Sequence, residues 1–200
     1  DPHRTHTLPS IRYVVHLSMP GFDAIGAGEP ATPGISMGHN GTAAFALTIF
    51  GADQEDAFVY DTPPDDPLSY RFGDGWGRRP ECVEDTPVKT GGFEQRTLSF
   101  PRHGPVIHRD PAAHRAYALR TVWTDPGMAP YMARLAVMQA RSFDAYTQAL
   151  RGWGTPSVNH VYADTAGTIG WKPSGATPLR EGWNGLLPVP GDGRYAWSGY

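Results

Sequence analysis

The stretch Pro33-Gly34-Ile35-Ser36-Met37-Gly38-His39-Asn40-Gly41-Thr42-Ala43-Ala44-Phe45-Ala46-Leu47-Thr48-Ile49-Phe50 reads as a short strand, a tight turn and a longer strand. Pro33-Gly34 turns the chain into Ile35-Ser36-Met37. Asn40-Gly41 suits a hairpin turn, because both residues tolerate positive φ. Residues 42–50 are apolar nearly throughout, which predicts a strand buried on both faces.

The pattern extends outward from this hairpin. Upstream, Ile11 to Leu17 is β-branched and aromatic, a strand signal, and Phe22-Asp23-Ala24-Ile25 is a second short strand. Downstream, Ala57-Phe58-Val59-Tyr60 continues the sheet after a short acidic loop. Residues 62–84 are rich in Pro, Asp, Gly and Arg and predict surface loop with short strands. Thr97–Phe100, Pro105–His108 and Ala116–Arg120 predict a meander. Two helices follow. Tyr131, Leu135 and Met138 form one apolar stripe. Ser142 is placed as an N-cap with Asp144 in the first turn, and Phe143, Tyr146 and Leu150 give the second helix its apolar face before Gly152 and Gly154 end it. Val158–Ala163, the turn Asp164–Gly167 and Thr168–Trp171 make a hairpin, and residues 173–193 read as loop. No internal repeat and no linker between domains is visible. Strands, a helix pair and strands again give an α+β class with mainly antiparallel pairing.

Composition narrows the function. The chain has 200 residues, enough for a sizeable core. Charged residues are 18%, while Gly (24) and Pro (20) are abundant, so turns and short strands outweigh long helices. A net charge of -3 gives no reason to expect nucleic acid or an anionic membrane as partner. No apolar run is long enough to span a bilayer. Cys82 is the single cysteine, so it defines neither an intrachain disulfide nor a zinc or redox pair. The chain opens at Asp1-Pro2-His3-Arg4 without an initiator Met or signal peptide and closes at Trp197-Ser198-Gly199-Tyr200; both ends read as cut.

Several segments, in order and with similar gaps, resemble the β-subunit of the penicillin acylase family, which includes cephalosporin and acyl-homoserine-lactone acylases. They are Asp1-Pro2-His3-Arg4; Pro33-Gly34 with Gly38-His39-Asn40-Gly41; Arg102-His103-Gly104-Pro105-Val106; Arg151-Gly152-Trp153-Gly154; Asn159 to Asp164 with Gly167-Thr168-Ile169-Gly170; and Leu187-Pro188-Val189-Pro190-Gly191. The resemblance implies the N-terminal-nucleophile hydrolase fold, a four-layer αββα sandwich. It makes residues 1–200 one fragment of the β-subunit, with the nucleophile segment upstream and the distal part of the subunit both missing. The expected partners are the remainder of the β-subunit, an α-subunit from the same self-cleaving precursor and a small amide substrate. The family location is periplasmic or secreted.

In such enzymes an exposed N-terminal Ser attacks an amide, and its own α-amine, with a reference pKa of about 8, takes the hydroxyl proton. By resemblance that Ser precedes Asp1, and an Asn that supplies a side-chain oxyanion donor lies beyond Tyr200. The fragment alone is therefore expected to be inactive.

The same resemblance assigns roles. His3 orients the Ser hydroxyl, or is a surface loop histidine. Ile49 supplies a backbone N–H to the oxyanion, or is an ordinary buried strand residue. Arg4, Met37 and Val158 match acyl-pocket positions. Arg4 is expected to receive an acyl carboxylate, with Arg12 adding a second positive charge, or else to face solvent beside an Asp. Asp53 and Asp56 (carboxylates) with Glu55 and Gly185 (carbonyls) match a structural Ca²⁺ site, or form a solvated acidic turn. No organic cofactor is implied. His39, His103, His108 and His160 lack metal-ligand spacing and read as turn and core histidines. The reading is an amide hydrolase acting on a β-lactam or related amide; the rivals are an acyl-homoserine-lactone or lipopeptide acylase, and a non-catalytic relative.

Overall fold

The computed structural model describes residues 7–30, 32–128 and 133–200. His3 and Arg4 lie outside the described residues, as does Tyr131. The chain forms two compact units, Asp1–Ala52 with Trp123–Ala176 and Asp53–Val122 with Thr177–Tyr200.

The first unit is a six-stranded antiparallel sheet with a helix pair. Its strands are β1 (Tyr13–Met19), β2 (Phe22–Gly28), β3 (Met37–His39), β4 (Ala43–Ile49), β12 (Val158–Asp164) and β13 (Ile169–Ser174), in the order β1-β2-β3-β4-β12-β13. The helices are α1 (Ala133–Val137) and α2 (Phe143–Ala149). Strand alternation sends Ala24, Ala43, Phe45, Val158 and Tyr162 to one face. There they form a core with Val137, Met138, Tyr146 and Leu150. The expectation that β4 is buried on both faces is not met: Ala44 is exposed and Ala46 and Thr48 are half-buried.

Ser142 caps α2 as its sequence predicts, its hydroxyl accepting from the Ala145 N–H at 3.2 Å, with Asp144 in the first turn. The apolar stripe of α1 differs from the one its spacing predicts. Met138 is buried, but Leu135 is 37% exposed, and Val137 takes the core place. The Asn40-Gly41 turn also works differently from expectation. Only Gly41 has positive φ (81°). The Asn40 amide instead makes four hydrogen bonds. Its oxygen accepts from the N–H groups of Thr42 (3.1 Å) and Ala43 (2.8 Å), and its nitrogen donates to the carbonyls of Met138 (3.0 Å) and Ala140 (2.7 Å).

The second unit centres on a four-stranded sheet. Its strands are β5 (Glu55–Asp61), β10 (Val106–Asp110), β11 (Arg115–Thr121) and β14 (Val189–Pro190), in the order β10-β11-β5-β14. Phe58, Tyr60, Ala116 and Ala118 are its buried core. His103 stacks on Phe58 with ring centroids 3.8 Å apart, and its Nδ1 meets the Tyr60 hydroxyl at 2.5 Å. Two small hairpins complete the unit: β6 (Ser69–Phe72) with β7 (Gly75–Arg78), and β8 (Glu81–Pro87) with β9 (Phe93–Ser99). The expected meander is therefore split. β9 pairs with β8, while β10 pairs with β11. β14 emerges from the predicted loop and runs parallel to β5.

Removing the Asn40 side chain strands two turn N–H groups and two carbonyls at the end of α1. Asn40→Ala is expected to cost roughly 3 kcal/mol, read as a lowered midpoint in urea unfolding; a loss under about 0.5 kcal/mol would contradict the anchoring role. A second expectation concerns acid. Burial, and then the charges of Lys172 beside His160 and of Arg120 beside His103, push both imidazoles down to about 4. They stay neutral in the folded chain while the unfolded chain protonates near pH 6.5. Their stabilisation is thus complete above pH 6.5 and is lost as pH falls through about 4. Denaturation midpoints between pH 7.5 and 4 should decline on this limb, and His160→Gln should flatten it.

Candidate functional site

One end of the six-stranded sheet carries those candidates of the first unit that fall among the described residues. β3 begins there with Met37, β4 ends with Ile49 and β12 begins with Val158. Ile49 and Val158 are direct cross-strand partners. They share an end with Met37 but not a face. Val158 is buried on the helix side, whereas Met37 pairs with Ala27 and projects from the other side. The Ile49 side chain, 64% exposed, is not in a core.

The main chain of Ile49 is better placed than its side chain. The Phe50 N–H donates to the Ser157 carbonyl at 3.2 Å. Ladder alternation therefore turns the Ile49 N–H away from β12, towards the β3 side. β3 pairs with β4 only at Gly38–Phe45 and His39–Ala44, so this N–H lies past the end of that ladder. Asn159, which the sequence shows only as part of a motif, fixes the neighbouring peptide. Its Nδ2 donates to the Ile49 carbonyl at 3.2 Å, and its Oδ1 accepts from Trp171 Nε1 at 3.0 Å.

Arg12, expected to add charge to a pocket, is paired. Its guanidinium meets Glu29 at 3.1 Å, just beyond the end of β2. Glu29 also accepts from Arg134 (2.8 Å) and from the Ser36 hydroxyl (2.6 Å). Burial raises the Glu29 carboxyl, but the Ser36 bond and the charges of Arg134 and Arg12 outweigh it and hold the group below the usual carboxylate range. Two guanidinium groups thus share one carboxylate at this end of the sheet.

The acidic candidates lie in the second unit. Asp53 and Asp56 converge, on Arg180. Its Nη2 is 3.0 Å from Asp53 Oδ2 and its Nε 2.7 Å from Asp56 Oδ2. Trp197 Nε1 donates to the same Asp56 oxygen at 2.6 Å. Glu55 turns its carboxylate aside to the Thr121 hydroxyl at 3.0 Å. Gly185 sits against the pair: a Cβ there would lie 2.7 Å from Asp56 Oδ1 and from the Arg180 guanidinium carbon. Asp56 Oδ1 is buried without a hydrogen-bond partner among the described residues. Among the described residues no group of three or more His, Cys, Asp or Glu side chains converges as a metal cage. A cation here would thus draw on two carboxylates and main-chain oxygens. The orphaned oxygen and the missing Cβ fit that donor set.

Comparisons with known proteins agree across the chain. The family model described as Penicillin amidase matches residues 1–200. Penicillin G acylase of Escherichia coli is 31% identical over 192 residues, covering 96% of this chain and 23% of that protein. The penicillin acylase 2 proenzyme of Pseudomonas sp. (strain SE83) is 32% identical, covering 100% and 26%. The acyl-homoserine lactone acylase QuiP of Pseudomonas aeruginosa is 27% identical, covering 100% and 25%. The solved structure of a thermostable penicillin G acylase from Alcaligenes faecalis superposes with a TM-score of 0.87 at 26% identity, over 96% of this chain and 35% of that one. The chain spans about a quarter of the length of these curated relatives.

Gly185 generates a direct test of the acidic site. Its φ of 77° and its contacts leave no room for a methyl group. Gly185→Ala is expected to lower stability by roughly 2 kcal/mol, measured as a fall in melting temperature; an unchanged value would mean that the Arg180–Asp56 pair is loosely held.

Proposed function

The chain belongs to the penicillin amidase family, and from that premise we propose that it is part of an amide hydrolase, an acylase that frees the acyl group from a β-lactam or related amide. One observation carries the reading: the family match runs from residue 1 to 200, and relatives aligned over nearly all of the chain bear acylase names.

In the proposed reaction a Ser outside residues 1–200, freed as a new N-terminus, attacks the amide carbon. Its α-amine takes the hydroxyl proton and returns it to the leaving nitrogen as the C–N bond breaks. Water then attacks the resulting ester and releases the acid. His3 hydrogen-bonds and orients the Ser hydroxyl. The Ile49 N–H is one oxyanion donor, supported by its turn away from β12 and by the Asn159 clamp on the adjoining carbonyl. Met37 and Val158 are the acyl-pocket positions of this reading, and since they lie on opposite faces the pocket would have to reach round the end of the sheet.

The partners in this reading are the rest of the β-subunit and an α-subunit from the same precursor, in the periplasm or outside the cell. A structural Ca²⁺ belongs to it too. Asp53 and Asp56 would supply carboxylate oxygens, and Glu55 and Gly185 carbonyl oxygens. The acyl-homoserine-lactone reading is kept alive by the QuiP similarity over the whole chain. Both readings share the nucleophile, so replacing the N-terminal Ser of the full protein with Ala should abolish turnover of any substrate. Activity that survives would point to another mechanism, and an N-terminus other than Ser, Thr or Cys would favour a non-catalytic relative.

Arg4 decides between the acyl classes. A charge-assisted pair with an acyl carboxylate is worth roughly 1.5–3 kcal/mol, or about one to two decades of discrimination. The full protein should therefore prefer glutaryl over hexanoyl amides in kcat/KM, and Arg4→Ala should erase the preference. Preference for hexanoyl, unmoved by the substitution, would favour the apolar-acyl reading.

A further inference from the structure

Arg180 comes from the tail of the second unit, 124 positions from Asp56 in sequence. The side chain of Arg180 is 9% exposed and that of Asp56 1%, so this pair is held away from water; Asp53, at 52%, is half open. A buried carboxylate beside a second carboxylate is costly unless a cation stands between them. Here the guanidinium does so, its Nε hydrogen-bonded to Asp56 and its Nη2 in ion-pair contact with Asp53 but without a hydrogen bond among the described residues. Trp183 lies beside it, its ring centroid 5.6 Å from the guanidinium carbon.

Only half of Asp56 is used. Oδ2 takes both Arg180 and Trp197, while Oδ1 is buried without a partner among the described residues and faces the place where Gly185 lacks a Cβ. A dication on Oδ1 needs a second carboxylate; that of adjacent Glu55 is turned to the Thr121 hydroxyl, and that of Asp53 is already on Arg180. A guanidinium and a dication cannot both hold Asp53 without like-charge repulsion at close range.

We propose that Arg180 is the resident cation of this loop and that a divalent metal binds in competition with it. Asp53, the exposed partner, leaves Arg180 for the metal. Asp56 offers Oδ1 while Arg180 stays on its Oδ2, and the repulsion between that guanidinium and the metal is part of what weakens the binding. The loop then stays assembled without metal, and metal affinity is weaker than its oxygen ligands alone would give. This inference rests on the calcium part of the proposed function and not on the acylase chemistry.

The test uses the full protein, CaCl₂ as probe, isothermal titration calorimetry in metal-free buffer, and thermal unfolding in EGTA and in saturating Ca²⁺. Arg180→Gln should melt lower than wild type in EGTA, regain more of its melting temperature with Ca²⁺, and bind Ca²⁺ at least about tenfold more tightly. Ca²⁺ binding by the variant alone would also support competition. Unchanged or weaker affinity overturns the proposal, because a merely supporting arginine would leave the metal no better held when removed. If Arg180→Gln does not fold, Arg180→Lys replaces it: a lysine keeps the charge but cannot bridge both carboxylates as a fork does, so it too should bind Ca²⁺ more tightly than wild type, and equal or weaker binding overturns the idea. No binding by any form sinks both the competition and the calcium site while leaving acylase activity, assayed separately, to stand or fall by itself.

Discussion

The buried side-chain amide of Asn40 uses both of its N–H donors and both acceptor positions of its oxygen. Much of the first unit follows from that saturation. The β3–β4 turn is held by two of the bonds, and the exit of α1 by the other two. The helix pair is thereby set over Ala43, Phe45 and Tyr162. With the turn fixed, β4 enters its ladder with β12 in one register, and Ile49 falls opposite Val158 at the far end. A side chain in the turn at one end of the sheet thus helps set where a main-chain N–H emerges at the other.

Local chemistry was legible in the sequence and distant chemistry was not. The Ser142 cap needs only residues three positions apart, and the structure shows it as read. The Asn40 turn was seen, but its partners are about a hundred positions away and nothing local announces them. β8 was missed because Glu81–Pro87 is exposed throughout and carries no apolar alternation. β14 was missed because two residues cannot show a period. Leu135 stays exposed because a five-residue helix is too short to sustain the apolar stripe its spacing predicts. Of the candidate site, the pairing of Asp53 with Asp56 comes from the family resemblance, and the structure brings the two carboxylates together on Arg180. Arg180, which they converge on, had no signal, since an isolated arginine in a loop looks like any other. The family motifs located Ile49, but only the hydrogen bond from Phe50 reveals which way its N–H turns.

The two charged clusters have opposite balance. Around Glu29, two guanidinium groups meet one carboxylate. Around Arg180, two carboxylates meet one guanidinium. Each residual charge is partly buried, where screening by salt is weak. The first cluster is therefore compatible with an added anion and the second with an added cation. Neither inclination could be read from the net charge of the whole chain, which averages them away.

The β8–β9 hairpin has a consequence of another kind. Its strands form a sheet of their own, so each presents an outer edge of main-chain groups. Val83, Phe93 and Leu98 are exposed along it. An edge of that sort is a template on which a passing chain can add itself, the first step of aggregation. Glu84, Asp85 and Pro87 on one strand, with the Glu94–Arg96 ion pair on the other, crowd the edges with charge and a missing donor. The charged residues and the proline of β8, which give it no apolar alternation, are thus also those that discourage a third strand from adding to its edge.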